Sequence, residues 1–450
     1  MNRRMSGWRK VGSLLMAGLM AAGMMSLGGC GGGYDTPVTI QAATTANTSG
    51  PIIDATTLKQ WADQGKLNAP LGSTDRVVVL SVTTLANYTT VTKKHIPGAL
   101  LMDSATDLYF SRQEGLAVAG SMMPSGANMD TVTKKLGIDN FTTIVLTIPK
   151  GSTDSQIYPQ SVAFWVYRYW GFDRNRVKIL NGGDDAWDLA GLPLVKTQYT
   201  PTPTTYSVAQ NKALKDMVRY SFGEMLGLVD SINNNSAQLD GWQMLDVRGA
   251  TVSPFMSNAK RGTPFQFFTR LNNDPARNWQ YPDRETLLTR LSSIPVNNPD
   301  LTTSYLSPAK KTVVMCGSSI SASPSFVLFD AVLGVSEGNI AMYDGSSGQW
   351  TAYKQATVTA AGATADQGAL WAFDALTPGT ALYRATNGTS GVQPTGLTGT
   401  MTVIPSTYTF SPFSVDMNQI ENADKAYIIK TPSTTTGGGT TGGGSSGGGC

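Results

Sequence analysis

Hydrophobic residues between positions 52 and 352 occur in two kinds of segment that alternate along the chain. Short runs rich in valine, isoleucine and leucine predict buried strands, and the segments between them place apolar residues at the helical period. The clearest strand-like runs are RVVVLSV (76–82), TTIVLTI (142–148), WQMLDVR (242–248) and KTVVMC (311–316). This alternation indicates α/β domains in which helices cover both faces of a parallel sheet.

The alternating pattern is present twice. The first copy, 51–200, begins with IIDATTLKQWADQG and closes with LNGGDDAW, and the second, 217–352, closes with MYDGSSGQW. We therefore expect two three-layer α/β/α domains with parallel sheets, in tandem. Residues 353–430 predict a β-rich extension, because they contain strand-like pieces such as ALWAFDAL, TMTVIP and KAYIIK. A Gly/Thr/Ser-rich tail, 431–450, follows.

The amino terminus has the layout of an export signal. Basic residues at 3–10 precede an apolar stretch that ends in a pair of glycines and Cys30. A cysteine in this place resembles a bacterial lipobox, which implies a signal peptide (1–29), a lipid on Cys30 and a flexible tether (30–50). Gly31 after the cysteine then suggests an anchor in the outer membrane of the cell envelope. The alternative, a transmembrane anchor, is disfavoured because residues 11–27 are rich in glycine and methionine.

Charge and cysteine content exclude several classes of function. The formal net charge is only +3 and no basic patch is interleaved with aromatic residues, so we expect no nucleic-acid partner. The chain has three cysteines, Cys30, Cys316 and Cys450, and a single histidine, His95. One internal thiol in an exported protein points away from structural disulfides, and these few ligands predict no metal or haem cofactor. Cys450 suits an intermolecular disulfide or a resolving thiol for Cys316.

Cys316 is the candidate for chemistry. It ends a strand-like run, and a helical stretch (323–334) begins after a short Gly/Ser segment. Ligands of α/β sheets bind beyond the carboxyl ends of strands, and backbone N–H groups at a helix start stabilise a thiolate. We therefore predict a reactive, solvent-reachable thiol ringed by main-chain amides, with an inert buried thiol as the alternative. The predicted loop that binds the transferred sulfur comprises Gly317, Ser318, Ser319, Ile320 and Ser321.

Four motifs in combination resemble the tandem rhodaneses, the thiosulfate sulfurtransferase family. They are HIPGA (95–99), LDVR (245–248) and the two closing motifs, and the resemblance covers roughly 52–196 and 217–352. It implies an inactive first domain, with Thr147 in the position that Cys316 occupies in the second. Thr147 follows Ser81 by 66 positions and Cys316 follows Asp246 by 70. The resemblance also implies that Cys316 takes up sulfane sulfur as a persulfide and passes it to a thiophilic acceptor.

The resemblance assigns roles to further residues. Arg248 matches the family arginine near the active loop, and Asp246 matches its partner acid. Lys260 and Arg261 are expected where the second copy's HIPGA motif would lie, near the mouth of the substrate site, unless they are ordinary solvated charges. His95 is expected to hydrogen-bond a loop. A polar insertion is expected to fold over the cleft or to cover a surface; its residues include Arg270, Arg277, Trp279 and Tyr281.

Two hypotheses follow from these residues. The first is a lipid-anchored sulfurtransferase that takes sulfur, or a related chalcogen such as selenium or tellurium, from a small sulfur-containing anion or a persulfide donor. The loop after Cys316 carries no arginine or lysine, and Ser319 stands where the family has glycine, so thiosulfate is a poor fit as donor. The second hypothesis is a non-catalytic rhodanese-fold lipoprotein that serves as a binding or assembly partner in an outer-membrane complex.

Overall fold

The computed structural model describes residues 50–89, 94–114, 117–151, 154–211, 213–225, 228, 241–248, 259–297, 303–354, 357–360, 363–365, 398–402, 407–410 and 418–430. The predicted signal peptide, Cys30, the tether up to residue 49, the tail and Cys450 lie outside these residues. Lipidation of Cys30 therefore stays a prediction. No helix among the described residues is long and apolar enough to span a bilayer.

Domain 1 contains a sheet of five parallel strands and a separate hairpin. Its strands are β1 (Ile52–Ile53), β2 (Val77–Thr83), β3 (Leu100–Asp103), β4 (Phe110–Glu114), β5 (Ala117–Met122), β6 (Thr143–Thr147) and β7 (Val177–Leu180). Its helices are α1 (Ala55–Asp63), α2 (Leu85–Thr89), α3 (Ser104–Asp107), α4 (Gly126–Lys135), α5 (Ile157–Tyr169) and α6 (Gly183–Leu189). The sheet has the order β1-β7-β6-β2-β3, and β4 pairs with β5 in antiparallel orientation.

Both faces of this sheet are buried under helices. On one face, Val77 and Val79 share a core cluster with Leu58 of α1 and Trp187 of α6. On the other, Leu80 belongs to a larger cluster that includes the side chains of α5. Strand β2 is buried along its whole length, as expected for a parallel strand between two helical layers. Helix α5 is apolar on nearly all sides because it is buried between the sheet and domain 2.

Domain 2 repeats the arrangement and adds short strands. Its strands are β8 (Trp242–Asp246), β9 (Ala259–Arg261), β10 (Thr269–Arg270), β11 (Trp279–Gln280), β12 (Val296–Asn297), β13 (Thr303–Ser304), β14 (Lys311–Met315) and β15 (Ile340–Met342). Its helices are α7 (Arg284–Ser293), α8 (Ser323–Val327) with a π-helical continuation (Leu328–Val332), and α9 (Ser346–Lys354). The sheet has the order β13-β12-β9-β8-β14-β15, in which β9, β8, β14 and β15 are parallel and β12 and β13 form an antiparallel edge.

The two sheets have the same strand order where they correspond. The series β7-β6-β2-β3 of domain 1 matches β15-β14-β8-β9 of domain 2. Arg219 also makes a parallel bridge to Met342, in the place that β1 takes beside β7. The predicted fold class, two α/β domains with parallel sheets, is confirmed.

The described part of 353–430 is β-rich but ends in a helix. Strands β16 (Thr357–Ala360), β17 (Ala363–Ala365), β18 (Thr398–Thr402) and β19 (Thr407–Phe410) form an antiparallel sheet in the order β17-β16-β18-β19. The strand-like piece KAYIIK is instead the end of helix α10 (Gln419–Lys430), so that prediction is wrong. Glu421 and Asp424 of this helix are buried, and each pairs with an arginine. Because acidic residues lie on the buried face, the sequence lacks the continuous apolar stripe by which a helix is usually predicted.

Candidate active site

Cys316 lies one residue beyond β14, at the carboxyl edge of the domain 2 sheet. Its thiol is free, but the residue is only 1 % exposed. Side chains two apart on a strand point to the same face, so Cys316 continues the buried face of Val314, and both belong to the apolar cluster that contains Phe326 of α8. The prediction of a solvent-reachable sulfur is therefore wrong for this conformation. The loop reaches solvent at Gly317, on its outer side.

One main-chain amide contacts the sulfur in the described structure. Ser318 donates its backbone N–H to Cys316 Sγ at 3.4 Å. The ring of several amides that the sequence suggested is not formed in this conformation. The N–H groups of Cys316 and Ser319 donate instead to Ser346 Oγ, at 3.2 and 3.0 Å.

Ser346 holds the loop in this arrangement. Its buried hydroxyl accepts those two N–H groups and donates to the Tyr343 carbonyl at 2.8 Å. The backbone N–H of Ser347 donates to the Cys316 carbonyl and that of Gly348 to the Gly317 carbonyl, both at 3.0 Å, so three successive residues at the start of α9 hold the active loop. Sequence reasoning missed Ser346. The motif MYDGSSGQW marked its neighbourhood, but the contact joins loops that are 27 residues apart.

Ser319 has a backbone conformation that favours glycine. Its φ is +68°, in the left-handed region that glycine adopts most readily. Two contacts hold the serine in place: its N–H on Ser346 and its hydroxyl, which donates to the Ser121 carbonyl at the end of β5 at 3.1 Å. Ile320 and Ser321 follow in a short 3₁₀ helix (Ile320–Ala322) and are partly exposed.

Arg248 is engaged by the acid of its own motif. Its guanidinium donates from Nε and from an Nη to the Asp246 carboxylate at 3.0 and 2.6 Å, and Asp246 also accepts its backbone N–H at 3.0 Å. Asp246 is fully buried and lies beside Met315 in the sheet register, one residue before Cys316. The pair therefore braces the strand ends next to the active loop.

Lys260 and Arg261 lie in β9, not in a counterpart of the HIPGA motif. Arg261 pairs with Asp246 in the sheet, as Leu101 pairs with Ser81 in domain 1, so Arg261 corresponds to Leu101 and not to Ile96. The predicted position in a HIPGA counterpart is wrong because the connection from β8 to β9 differs in length from the connection from β2 to β3. Counting residues from Asp246 could not reveal this difference. Burial, with a smaller contribution from Lys310, lowers the Lys260 pKa to about 8, and its ammonium donates to the Tyr305 carbonyl.

The domain 1 counterpart of Cys316 is Ile148, not Thr147. Val314 pairs with Met342 in domain 2 as Leu146 pairs with Ile179 in domain 1, so Val314 and Leu146 correspond. Two residues further along, Cys316 therefore corresponds to Ile148. Each also accepts an equivalent hydrogen bond on its carbonyl, from Ser347 N–H and Asp184 N–H respectively. The comparison of sequence intervals selected Thr147, one position too early, because the connections between corresponding strands differ in length in the two domains. Domain 1 still lacks a thiol at this position.

The polar insertion covers the equivalent edge of domain 1, not the cleft at Cys316. Asn278 is 1 % exposed; its backbone N–H donates to Asp185 at 2.9 Å and its side chain donates to the Pro149 carbonyl at 3.0 Å. Arg277 pairs with the same Asp185 at 3.2 Å, and the Tyr281 hydroxyl lies 2.7 Å from Ser161 Oγ. The Arg270 guanidinium lies 3.9 Å from the ring centroid of Trp279. The insertion therefore covers the edge of the domain 1 sheet that corresponds to the edge at Cys316.

His95 has a structural role, as predicted. Its backbone pairs with Val195, and its Nε2 lies 3.1 Å from the Thr197 carbonyl and so carries the proton. The ring stacks on Tyr88 with 4.3 Å between centroids. Burial lowers the His95 pKa, which favours this neutral form.

No protein-family model matches the chain, and no curated protein matches it. Several solved structures are similar to it. Tum1 from Saccharomyces cerevisiae is 18% identical with a TM-score of 0.49, and the match covers 67% of this chain and 95% of Tum1. SseA from Escherichia coli, described as a 3-mercaptopyruvate sulfotransferase with the rhodanese fold, is 16% identical with a TM-score of 0.46 and coverages of 66% and 98%. An EanB variant in complex with ergothioneine is 14% identical with a TM-score of 0.45 and coverages of 67% and 68%.

Proposed function

We propose that the protein is a rhodanese-type sulfurtransferase in which Cys316 carries sulfane sulfur as a persulfide. The observation that carries this proposal is the position of a free cysteine at the carboxyl end of an interior parallel strand, with the Ser318 amide donating to its sulfur. The motifs that resemble the tandem rhodaneses support the same assignment. The degenerate domain 1, with Ile148 at the equivalent position, would then serve as the scaffold.

The proposed reaction has two displacement steps. The Cys316 thiolate attacks the sulfane sulfur of the donor, a bond forms between the two sulfurs, and the rest of the donor leaves with the electron pair of the broken bond. An acceptor thiolate or another thiophile then attacks the outer sulfur of the persulfide, and Cys316 leaves as the thiolate. Electrons balance over the two steps, so no reductant is consumed. The Ser318 N–H stabilises the negative charge on the Cys316 side of both steps.

The charges around the loop disfavour a donor that carries two negative charges. The residues after Cys316 carry no charge before Asp330, and Arg248 is held by Asp246. An anion with two charges would lose its hydration on entering such a site without gaining a cation in return. We therefore propose a persulfide donor with a single charge on its sulfur rather than a dianion such as thiosulfate or inorganic polysulfide; a related selenium species of single charge fits the same requirement.

Sulfur loading of Cys316 tests the proposal. The full chain is incubated with cysteine persulfide, inorganic polysulfide or thiosulfate, then alkylated, and its peptides are weighed. The peptide that contains Cys316 should gain one sulfur atom with cysteine persulfide, and far less with the two doubly charged donors. Cys316→Ser should lose the gain and the matched Cys450→Ser variant should retain it. If the Cys316 peptide stays unmodified with every donor, under conditions that load a known rhodanese, the catalytic proposal is refuted.

A second candidate function is a non-catalytic envelope lipoprotein that acts as a binding or assembly partner. The 1 % exposure of Cys316 is the observation that favours it, because a buried free cysteine commonly behaves as a small apolar residue. The loading experiment separates the two candidates. Under this second function Cys316→Ser should leave every activity of the protein in the envelope intact.

Both candidates include a lipid anchor at Cys30, which we propose from the lipobox-like sequence and place in the outer membrane. Expressed in a bacterium and supplied with an alkyne-labelled fatty acid, the full chain should acquire the label. Cys30→Ala should abolish labelling, and Cys450→Ala should not. Equal labelling of wild type and Cys30→Ala would exclude the anchor.

A further inference from the structure

The β4–β5 hairpin of domain 1, called here the lid hairpin (Phe110–Glu114 and Ala117–Met122), lies against the active loop of domain 2. The Ser121 carbonyl at its end accepts the Ser319 hydroxyl at 3.1 Å. The next residues, Met122 and Met123, are fully buried, and the Met123 N–H is 3.5 Å from Asp344, two residues before Ser346. The hairpin thus contacts both loops that determine the position of Cys316.

Buried charges attach the lid hairpin at its other strand. Glu114 at the end of β4 is fully buried, and both its oxygens accept from Arg219, at 2.9 and 2.7 Å. It also accepts the Phe222 N–H at 3.0 Å. Arg219 donates at the same time to Asp344 at 2.9 Å. A single buried guanidinium therefore joins the hairpin of domain 1 to the turn that precedes Ser346.

Helix α10 of the carboxyl-terminal extension, called here the strap helix (Gln419–Lys430), holds the same hairpin from outside. Both carboxylate oxygens of Asp424 accept from Arg112 of β4, at 2.9 and 2.8 Å, and Asp424 also accepts from the Tyr169 hydroxyl of α5 at 3.1 Å. Glu421 is 3.4 Å from Arg219. The strap helix therefore ties β4 to the core of domain 1 and to the Arg219 cluster.

We propose that the lid hairpin keeps Cys316 in a closed, resting conformation and that the strap helix controls its opening. The inference rests on the proposed function, because only a thiol that reacts with a donor needs an open state. In the closed state the sulfur is 1 % exposed and Ser346 takes two of the amides that could face a bound sulfur. The hairpin contacts the active loop through neutral groups, whereas its attachments to α10 and Arg219 are charge-assisted. Those attachments are therefore the stronger restraint on opening.

The experiment measures how fast iodoacetamide alkylates Cys316 in the full chain, without any sulfur donor, by weighing the peptide that contains it. Because alkylation requires opening, its rate reports the opening equilibrium. Arg112→Met and Asp424→Asn each remove the tie between lid and strap and should speed alkylation by about tenfold or more, the effect of losing one charge-assisted contact. The matched control is Lys425→Met, on the same helix, since Lys425 pairs with Asp216 and not with the hairpin.

The outcomes separate this inference from the proposed function. Faster alkylation in both variants, with the control within about twofold of wild type, supports the lid whether or not Cys316 accepts sulfur. Unchanged rates in both variants overturn the lid even when persulfide loading succeeds. An equal increase in Lys425→Met also overturns it, because the effect would then come from general loosening of α10. Asp424→Asn preserves the shape of the side chain, so its result stands even if Arg112→Met fails to fold.

Discussion

Arg219→Met is expected to lower the free energy of unfolding by about 3–5 kcal/mol, the usual cost of breaking a buried ion pair by removing one partner. Arg219 is fully buried and is the cation shared by Glu114, Asp344 and Glu421. Without it, these carboxylates face one another in a medium that penalises their charge. They must either take up protons or admit water into the boundary between the domains. Urea denaturation of wild type and variant, followed by circular dichroism, measures the loss.

The destabilisation by Arg219→Met should also grow with pH. Burial already raises the Glu421 pKa to about 8, and burial raises the Glu114 pKa despite the attraction of Arg219. Removing the cation raises both further, so the folded variant must hold protons that the unfolded chain releases. A suitable control is Arg284→Met, because its partner Glu285 is exposed and the pair should contribute less than about 1 kcal/mol. A loss for Arg219→Met no larger than that of the control would refute the assigned role.

Asp184→Asn is expected to stabilise the protein by on the order of 4 kcal/mol at pH 7. Asp184 is fully buried in domain 1, where it accepts the Thr147 hydroxyl at 2.7 Å. Burial raises its pKa to about 8, with a smaller contribution from Asp185. Asparagine can still accept from Thr147, through its carbonyl oxygen, and it removes the cost of burying an ionisable group.

The sign of the pH dependence follows from proton binding. An unfolded aspartate titrates near pH 3.9, so between that pH and about 8 the folded state keeps a proton that the unfolded state has lost. Wild-type stability falls across this window by about 1.4 kcal/mol for each pH unit from this group and levels off above it. The advantage of Asp184→Asn should therefore be absent below pH 4 and greatest above pH 8. Asp188→Asn, at a partly exposed ion pair with Lys150, serves as control and should show no such trend.

Several features were readable from the sequence because they depend on local pattern. Strands such as β2 and β14 are uninterrupted apolar runs, and a run of that kind is buried wherever the sheet lies. Cys316 could be placed at a strand end because Val313 and Val314 precede it and small residues follow. The repetition of the pattern, with its closing motifs, was enough to predict two α/β domains.

Other features could not be read because they depend on distances between segments. Lys260 and Arg261 were placed by counting from Asp246, but the connection before β9 is shorter than its counterpart before β3, so the count fails. The same kind of count selected Thr147, although sheet register selects Ile148. A hydrogen-bond register is set by pairing between strands, and loop length alone does not reveal it.

By itself, the sequence determined the fold class, the tandem repetition and the single thiol at the edge of the second sheet, since these follow from residue period and residue type. Tertiary structure alone decided that the thiol is buried, that Ser346 takes two amides of its loop and that a hairpin of domain 1 contacts this loop through the Ser121 carbonyl. The physical reason is that Cys316 is buried in the apolar cluster that contains Phe326, and that Ser346 sets the direction of two amides in its loop. Neither residue is a neighbour of Cys316 in the chain, so both contacts form only when the domain folds.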